Sequence, residues 1–331
     1  MSRTKHSIEW ASVMLAGLMV ASLPMQAHSQ SANYPNQTIT FIVPYAAGGS
    51  SDTRSRQLAQ KLSASLGVSV VVENKPGASG NIGTAQIARS KPDGYTIGLG
   101  NFAPISVNEA LYPLNFKPAV DLAPIALIER GSMALGVSHT SYSDLAALIK
   151  HARDNAGKMN YASTGAGSAS HLSTALFTNL AGLEATHVPY RGGAPASNDL
   201  IAGNVDFYIE LPSLFIPHTT GENPRLKMLA VASEKRVPGI PDVPTFEELG
   251  VKGMVVSNWF GVVAPAGVSP EVIDTLNSHI NRALQDPQYR AVVESQGGEV
   301  AGGSPAEFKA FIASETTRWK ALIDKQNITV Q

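Results

Sequence analysis

From residue 38 onward the chain alternates short apolar runs, rich in β-branched residues, with longer amphipathic stretches, and many of the runs end in glycine. Residues 38–43 (Thr-Ile-Thr-Phe-Ile-Val) read as a buried strand, followed by a helix over 53–66, a second strand over 68–72, a helix ending at 88 and a third strand over 96–99. A second series then begins. It has strands over 135–137, 159–162, 186–190, 205–211 and 228–232, with helices over 142–155, 169–180 and 194–202 between the earlier ones. The last part predicts a strand over 261–263, a helix opened by Ser269-Pro270-Glu271, and helices over 287–295 and 305–327. Proline suits the first helical position because its missing N–H would be unpaired there anyway. Strand runs that are apolar throughout, separated by helices, predict parallel sheets covered on both faces, a doubly wound α/β class. No tandem repeat or low-complexity linker divides the series.

The first residues follow a different pattern. Arg3 and Lys5 precede an apolar run over 11–23, Pro24 breaks it, and Ala27-His28-Ser29 offers small residues around a cleavage point; Glu9 is the one blemish. The run is shorter than the roughly 20 residues that span a bilayer. Residues 1–29 are therefore expected to be a cleaved secretory signal peptide, with the mature chain starting near Gln30 in the periplasm. A length of 331 residues suits about two domains. The net charge of −1, with both signs interspersed, gives nucleic acid no electrostatic footing. The absence of cysteine removes disulfides, thiolate metal sites, a cysteine nucleophile and a lipid anchor on an N-terminal Cys. The histidines show no metal-ligand spacing, and no cofactor is expected.

The candidate chemistry lies in three glycine-rich junctions, each where a strand gives way to a helix: 47–51 (Ala-Gly-Gly-Ser-Ser), 76–80 (Pro-Gly-Ala-Ser-Gly) and 163–168 (Ser-Thr-Gly-Ala-Gly-Ser). Ligands of open α/β sheets bind beyond the carboxyl ends of the strands. A helix N-terminus there presents unpaired N–H groups and about half a positive charge. Glycine permits close approach and Ser or Thr adds hydroxyls, so a carboxylate is a natural guest. One such junction alone is ordinary helix capping; three, divided between two α/β series, suggest two turns that pinch a small anion. Asp52 reads first as a charge at a helix N-terminus, and secondly as a contact for a ligand ammonium or bridging water. Glu210, on the apolar run 207–211, is costly to bury alone and reads as facing a cleft. His171 reads as packing or capping before ligand contact, and Trp259 either lines the cleft or packs beneath it. There is no Gly-x-Ser-x-Gly elbow and no phosphate-binding loop, and the 165–170 glycine run lacks the third glycine of a dinucleotide fingerprint.

These residues form blocks that resemble the Bug receptors, the extracytoplasmic solute receptors of tripartite tricarboxylate transporters. The blocks occur in order at 43–52 (VPYAAGGSSD), 72–83 (VENKPGASGNIG), 91–96 (KPDGYT), 160–168 (NYASTGAGS), 187–196 (HVPYRGGAPA), 241–245 (PDVPT) and 259–267 (WFGVVAPAG), so the resemblance covers nearly the whole mature chain. It implies a type II periplasmic binding protein, a Venus flytrap of two α/β lobes whose hinge is crossed twice. Residues 30–131 with 256–331 would form the first lobe and 132–255 the second.

By the same resemblance a ligand carboxylate is held by backbone amides and hydroxyls of both lobes, often through water. Ala47, Gly48, Ser51 and Asp52 would hold it on one side, and Ser163, Thr164, Gly165 and Ser168 on the other. Gly77, Ala78 and Asn101 would complete the first-lobe wall, and Tyr45 and Tyr190, within two of the blocks, join the candidate contacts. Ser79 stands where relatives often have glycine, and Glu210 where aspartate is common. Arg191 is a candidate partner for a second carboxylate, whereas Asp52 and Glu210 would suit an ammonium; a dicarboxylate, an amino acid and an aromatic acid all stay open. The resemblance implies a monomeric, non-catalytic protein that delivers a small carboxylate to the large and small membrane subunits of a permease. A sensing receptor without transport and a secreted α/β hydrolase are the alternatives.

Overall fold

The computed structural model describes residues 34–326, arranged around two sheets; the expected signal peptide lies outside the described residues. The first part of the chain runs β1 (Ile39–Val43), α1 (Ser50–Leu66), β2 (Val70–Asn74), α2 (Asn81–Ala88), β3 (Thr96–Asn101), a single turn α3 (Pro118–Asp121) and β4 (Leu122–Ser132). The second sheet then takes β5 (Ala134–Ser138), α4 (Leu145–Asp154), β6 (Met159–Ser163), α5 (Ala169–Ala181), β7 (Ala185–Pro189), α6 (Gly193–Ala202), β8 (Phe207–Glu210), α7 (Pro212–Thr219) and β9 (Leu226–Val231). The chain returns to the first sheet with β10 (Ser257–Pro265), α8 (Pro270–Leu284), α9 (Pro287–Ser295), β11 (Gly298–Val300) and α10 (Pro305–Gln326). The strand orders are β11-β4-β10-β3-β1-β2 and β7-β6-β8-β5-β9.

Strand β1 is buried almost throughout because helices cover both faces of its sheet, which is why its sequence does not alternate. Four of the helices, α4, α5, α8 and α9, start where a side chain supplies an acceptor for a free N–H group. Asp144 caps α4 by accepting from Ala147 N–H at 2.8 Å, Asp286 caps α9 by accepting from Tyr289 N–H at 2.9 Å, and Ser269 caps α8 with Pro270 behind it.

The expectation of parallel sheets is corrected: both sheets are mixed. β1 is parallel to β2 and β3, and β6 to β7 and β8, but β10 runs antiparallel to β3 and β4, and β5 antiparallel to β8 and β9. The reversed strands flank the points where the chain leaves one sheet and comes back, and periodicity carries no information on strand direction. The two crossings lie side by side. Met133 N–H donates to Val256 O at 3.1 Å, Ala232 N–H to Met133 O at 2.7 Å, and Val256 N–H to Ala232 O at 3.0 Å. Strand β4 is absent from the strands expected from sequence. Pro124, Glu129 and Arg130 interrupt its apolar run, yet Glu129 is buried because Arg54 of α1 ion-pairs with it. Gln296 accepts a further bond from Arg54 at 3.1 Å. Among the described residues no helix is long and apolar enough to cross a membrane.

Candidate functional site

The turn from β1 into α1 is fixed by Asp52. Its carboxylate accepts from Gly48 N–H at 2.9 Å, Asn74 Nδ2 at 2.9 Å and Arg56 Nε at 3.1 Å. Burial pulls this carboxyl's pKa up, but the bonds from Arg56, Gly48 and Asn74 outweigh it and hold the group below the usual range. Gly48, at φ +84, makes the turn that a residue with a Cβ would resist. Gly49 then stands at the helix start with no side-chain cap, so the first N–H groups of α1 are left to whatever lies ahead of them.

The corresponding turn of the second sheet, from β6 into α5, is held by its own side chains. Ser163 Oγ accepts from Gly165 N–H at 3.0 Å and lies 2.5 Å from His187 Nε2. Ser168 caps α5, accepting from His171 N–H at 3.2 Å, and His171 Nδ1 accepts from Gly167 N–H at 2.9 Å. The His171 and His187 rings stack with centroids 4.1 Å apart, and Tyr161 stacks on His187. Burial pushes both imidazoles down to about 4, and for His171 the neighbouring ring adds to the effect. Both are neutral near pH 7, which His171 must be for Nδ1 to accept a hydrogen bond.

The two turns meet. Ser79 Oγ and Tyr112 OH (2.6 Å) both donate to Ala166 O, Ser213 Oγ donates to Ser50 Oγ at 3.0 Å, and Ala46 N–H donates to Arg191 O at 3.3 Å. Gly165 is pressed so close to the first sheet that an added Cβ would lie 2.6 Å from Ser79 Oγ. Ala78 and Ser79 adopt left-handed backbone, φ 47° and 52°, between the positive-φ glycines 77 and 80. Such conformations cost of order 1 kcal/mol or more each and cluster at ligand sites.

Between the turns lies a small cavity of about 20 Å³, walled by Ser50 and Ser51 of α1, Thr164 just after β6, Ala169 at the start of α5, and Tyr45, Asn101, Asn258 and Glu210. No Lys, Arg or His lines it. Tyr45 OH donates to Asn101 Oδ1 at 2.6 Å, and Asn101 Nδ2 donates to Asn258 Oδ1 (3.0 Å) and Trp259 O (2.8 Å). Glu210 Oε2 accepts the Tyr208 hydroxyl at 3.0 Å and Oε1 accepts Leu211 N–H at 2.9 Å. Tyr45 and Thr164 also border a second, larger cavity of about 690 Å³ that runs outward past Ala78, Ile82, Ala85, Pro113 and Leu114, with Arg89 and Arg191 exposed at its rim.

Of the residues singled out from sequence, Tyr45, Ser51, Asn101, Thr164 and Glu210 line the small cavity. Gly77, Ala78, Gly165, Tyr190 and Arg191, again with Tyr45 and Thr164, line the larger one. Ala47, Gly48, Asp52, Ser163 and Ser168 border neither; Gly48 lines a separate recess beside Ala194, and the other polar three hold the turns together from behind. His171 packs and braces a loop, and Trp259 packs beneath the site, edge-on to Phe308 and Phe311. Sequence reasoning took in Ser50 only as part of the 47–51 junction, passed over Gly193, Phe260 and Tyr112 as contacts, and noted Asn258 only as a neighbour of Trp259. A lone amide in an apolar strand was the available signal for Asn258, whereas Tyr112 reaches the site from irregular backbone that carries no pattern. Among the described residues no group of His, Cys, Asp and Glu could hold a metal ion.

Two mixed α/β sheets joined by a double crossing, with helix N-termini converging on a cavity at the seam, define the two-lobed fold of the periplasmic binding proteins. The family model described as "Tripartite tricarboxylate transporter family receptor" matches residues 55–328, and the chain belongs to that family. It is 38% identical over 310 residues to Protein BugT of Bordetella pertussis, covering 93% of this chain and 94% of that one. The structure of the periplasmic binding protein BugD is similar at 34% identity and a TM-score of 0.84, over 90% of this chain and 100% of that one. An R. palustris protein solved with adipate is similar at 33% identity and a TM-score of 0.86, over 90% and 99% of the two chains.

Proposed function

We propose that this protein is a periplasmic receptor that closes two lobes, residues 30–131 with 256–331 and residues 132–255, around a small carboxylate and hands it to the large and small membrane subunits of a tripartite tricarboxylate permease. The observation that carries this reading is the convergence of the α1 and α5 N-termini on one cavity with hydroxyls and amides in its wall and no basic side chain. Each helix end carries about half a positive charge, enough to favour one carboxylate group there. The larger cavity takes the rest of the ligand, and the adipate found with the R. palustris relative is a carboxylate of that kind. The bonds that already join the two sides through Ala166 and Ser50 belong to the closed form, the form a permease would recognise.

Binding, not catalysis, is the better reading of the Ser163–His187 pair. Ser163 is fully buried behind the loop, and among the described residues no carboxylate is hydrogen-bonded to His187 to orient it as a base. A calorimetric screen of mono- and dicarboxylates against neutral sugars and metal ions tests the proposal. At least one carboxylate should bind in the micromolar range or tighter; tight binding confined to sugars or metal ions would overturn it.

A further inference from the structure

Capture of a carboxylate meets a physical difficulty, because Glu210 already brings a carboxyl group to the wall of the small cavity. Its residue is 5% exposed, at the end of β8. No cation lines the cavity to offset a second negative charge. The titratable groups facing Glu210 are Tyr45, from the first sheet, and Tyr208, on its own strand; burial pushes both phenols above their usual range, so both are neutral. Asp52, in the first turn of α1, is already satisfied by Gly48, Asn74 and Arg56. Two bare carboxylates sharing so small a cavity repel strongly, and such pairs resolve by holding a proton between them.

Three partners could remove the repulsion: a ligand ammonium, a metal ion or a proton. An ammonium has three N–H groups to place, and the side-chain acceptors here are mostly taken. Asn101 Oδ1 receives Tyr45 OH, and Asn258 Oδ1 receives both Asn101 and Trp259 N–H. A cavity of about 20 Å³ also leaves little room for a branched α-amino head. A metal ion needs several oxygen ligands, and Glu210 is the only carboxylate lining the cavity. A proton needs no space. Burial lifts the Glu210 carboxyl to about 7 despite the lowering by Leu211 N–H and the Tyr208 hydroxyl, so the proton is available near neutral pH.

We propose that Glu210 enters the complex as a neutral carboxylic acid and donates its O–H to the ligand's carboxylate, so that the protein binds an unbranched carboxylate head together with one proton. No covalent bond changes; the proton comes from solvent on binding and returns on release. The inference rests on the reading of this site as a carboxylate receptor, and the two can fail separately.

Isothermal titration of the purified protein with acetate, succinate, adipate, benzoate and glutamate, in Tris and in phosphate at pH 8, tests it. The expected result is binding of a carboxylate lacking an α-ammonium, with a buffer-dependent heat equivalent to uptake of nearly one proton. Its affinity should be flat below pH 7 and fall about tenfold per pH unit above it, because the proton must then be taken from solution. In Glu210→Gln, whose amide is a permanent donor, the buffer dependence should vanish and the affinity should be flat from pH 6 to 9. Carboxylate binding by the wild-type protein with no proton uptake would overturn the inference alone. So would a preference for glutamate with affinity rising through pH 7. Silence toward every carboxylate would overturn the receptor reading and the inference with it.

Discussion

The small cavity beneath Tyr45 and the larger one beyond it share Tyr45 and Thr164 as walls and little else. The inner one, about 20 Å³, is walled by hydroxyls, side-chain amides, helix ends and one buried carboxyl. The outer one, about 690 Å³, is bounded largely by apolar side chains and irregular backbone, with two exposed arginines. The inner wall comes from strand ends and helix starts that the two sheets fix in place. Much of the outer wall comes from the 112–115 segment and the strained 77–80 loop. On the proposed reading, a head group common to many ligands goes to the rigid polar end, and the part that differs between ligands goes to the adaptable end. Sequence change in the outer wall can therefore alter ligand choice without disturbing the inner contacts.

The sharpest way to break this division is to keep the α5 turn from closing onto the 77–80 loop. Gly165→Val places a β-branched residue at φ +124 and a Cβ against Ser79 Oγ. Carboxylate affinity should fall by roughly a hundredfold, about 2.7 kcal/mol, with the protein still folded. Unchanged affinity in titration calorimetry would show that closure does not bring these loops together.

A smaller effect is expected behind the second turn. His171→Leu removes the acceptor for the buried Gly167 N–H and should cost about 1–3 kcal/mol in denaturant unfolding. His171→Gln, which can offer an oxygen, should recover part of that. The imidazoles of His171 and His187 should titrate near 4 by NMR. Their folded-state values are depressed, so their contribution to stability is complete above the unfolded value of about 6.5 and is lost as pH falls from there toward 4. Midpoints near 6.5 would mean that the loop is not braced by neutral rings.

At the outer cavity, removing both rim charges with Arg89→Ala and Arg191→Ala should weaken dicarboxylates by only about two- to fivefold, since exposed charges contribute little. Monocarboxylates should be unaffected. Equal losses for both classes would place the arginines' role at the inner end. The smallest change is expected from Ser79→Gly. It deletes one bond between the sides but relieves the left-handed backbone at that residue, so the two effects oppose each other and affinity should move by less than about threefold.

Much of the inner end was legible in the sequence. The glycine-rich turns at 47–51 and 163–168 follow buried strand runs, and that pattern pointed to Ser51 and Thr164, both of which line the small cavity. Glu210 was legible for a related reason, a charge where its strand should be apolar. Asp52 was harder, because its place in sequence fits a ligand contact as well as a loop brace, and only the positions of Asn74 and Arg56 decide between them. Strand β4 stayed hidden because Glu129 looks like a surface residue until Arg54, 75 positions away, is brought beside it. The direction of β10 depends on the return of the chain from the second sheet, and the approach of Tyr112 on the packing of the first part of the chain against Ala166; no local pattern encodes either.

A co-crystal structure with the tightest-binding carboxylate measures the central claim most directly. The expected density places the carboxylate between the α1 and α5 N-termini, within direct or one-water hydrogen-bond reach of Ser51, Thr164 and Glu210, with the remainder of the ligand in the outer cavity. A ligand bound elsewhere on the protein, or one whose carboxylate pairs only with Arg89 or Arg191 at the rim, would contradict it.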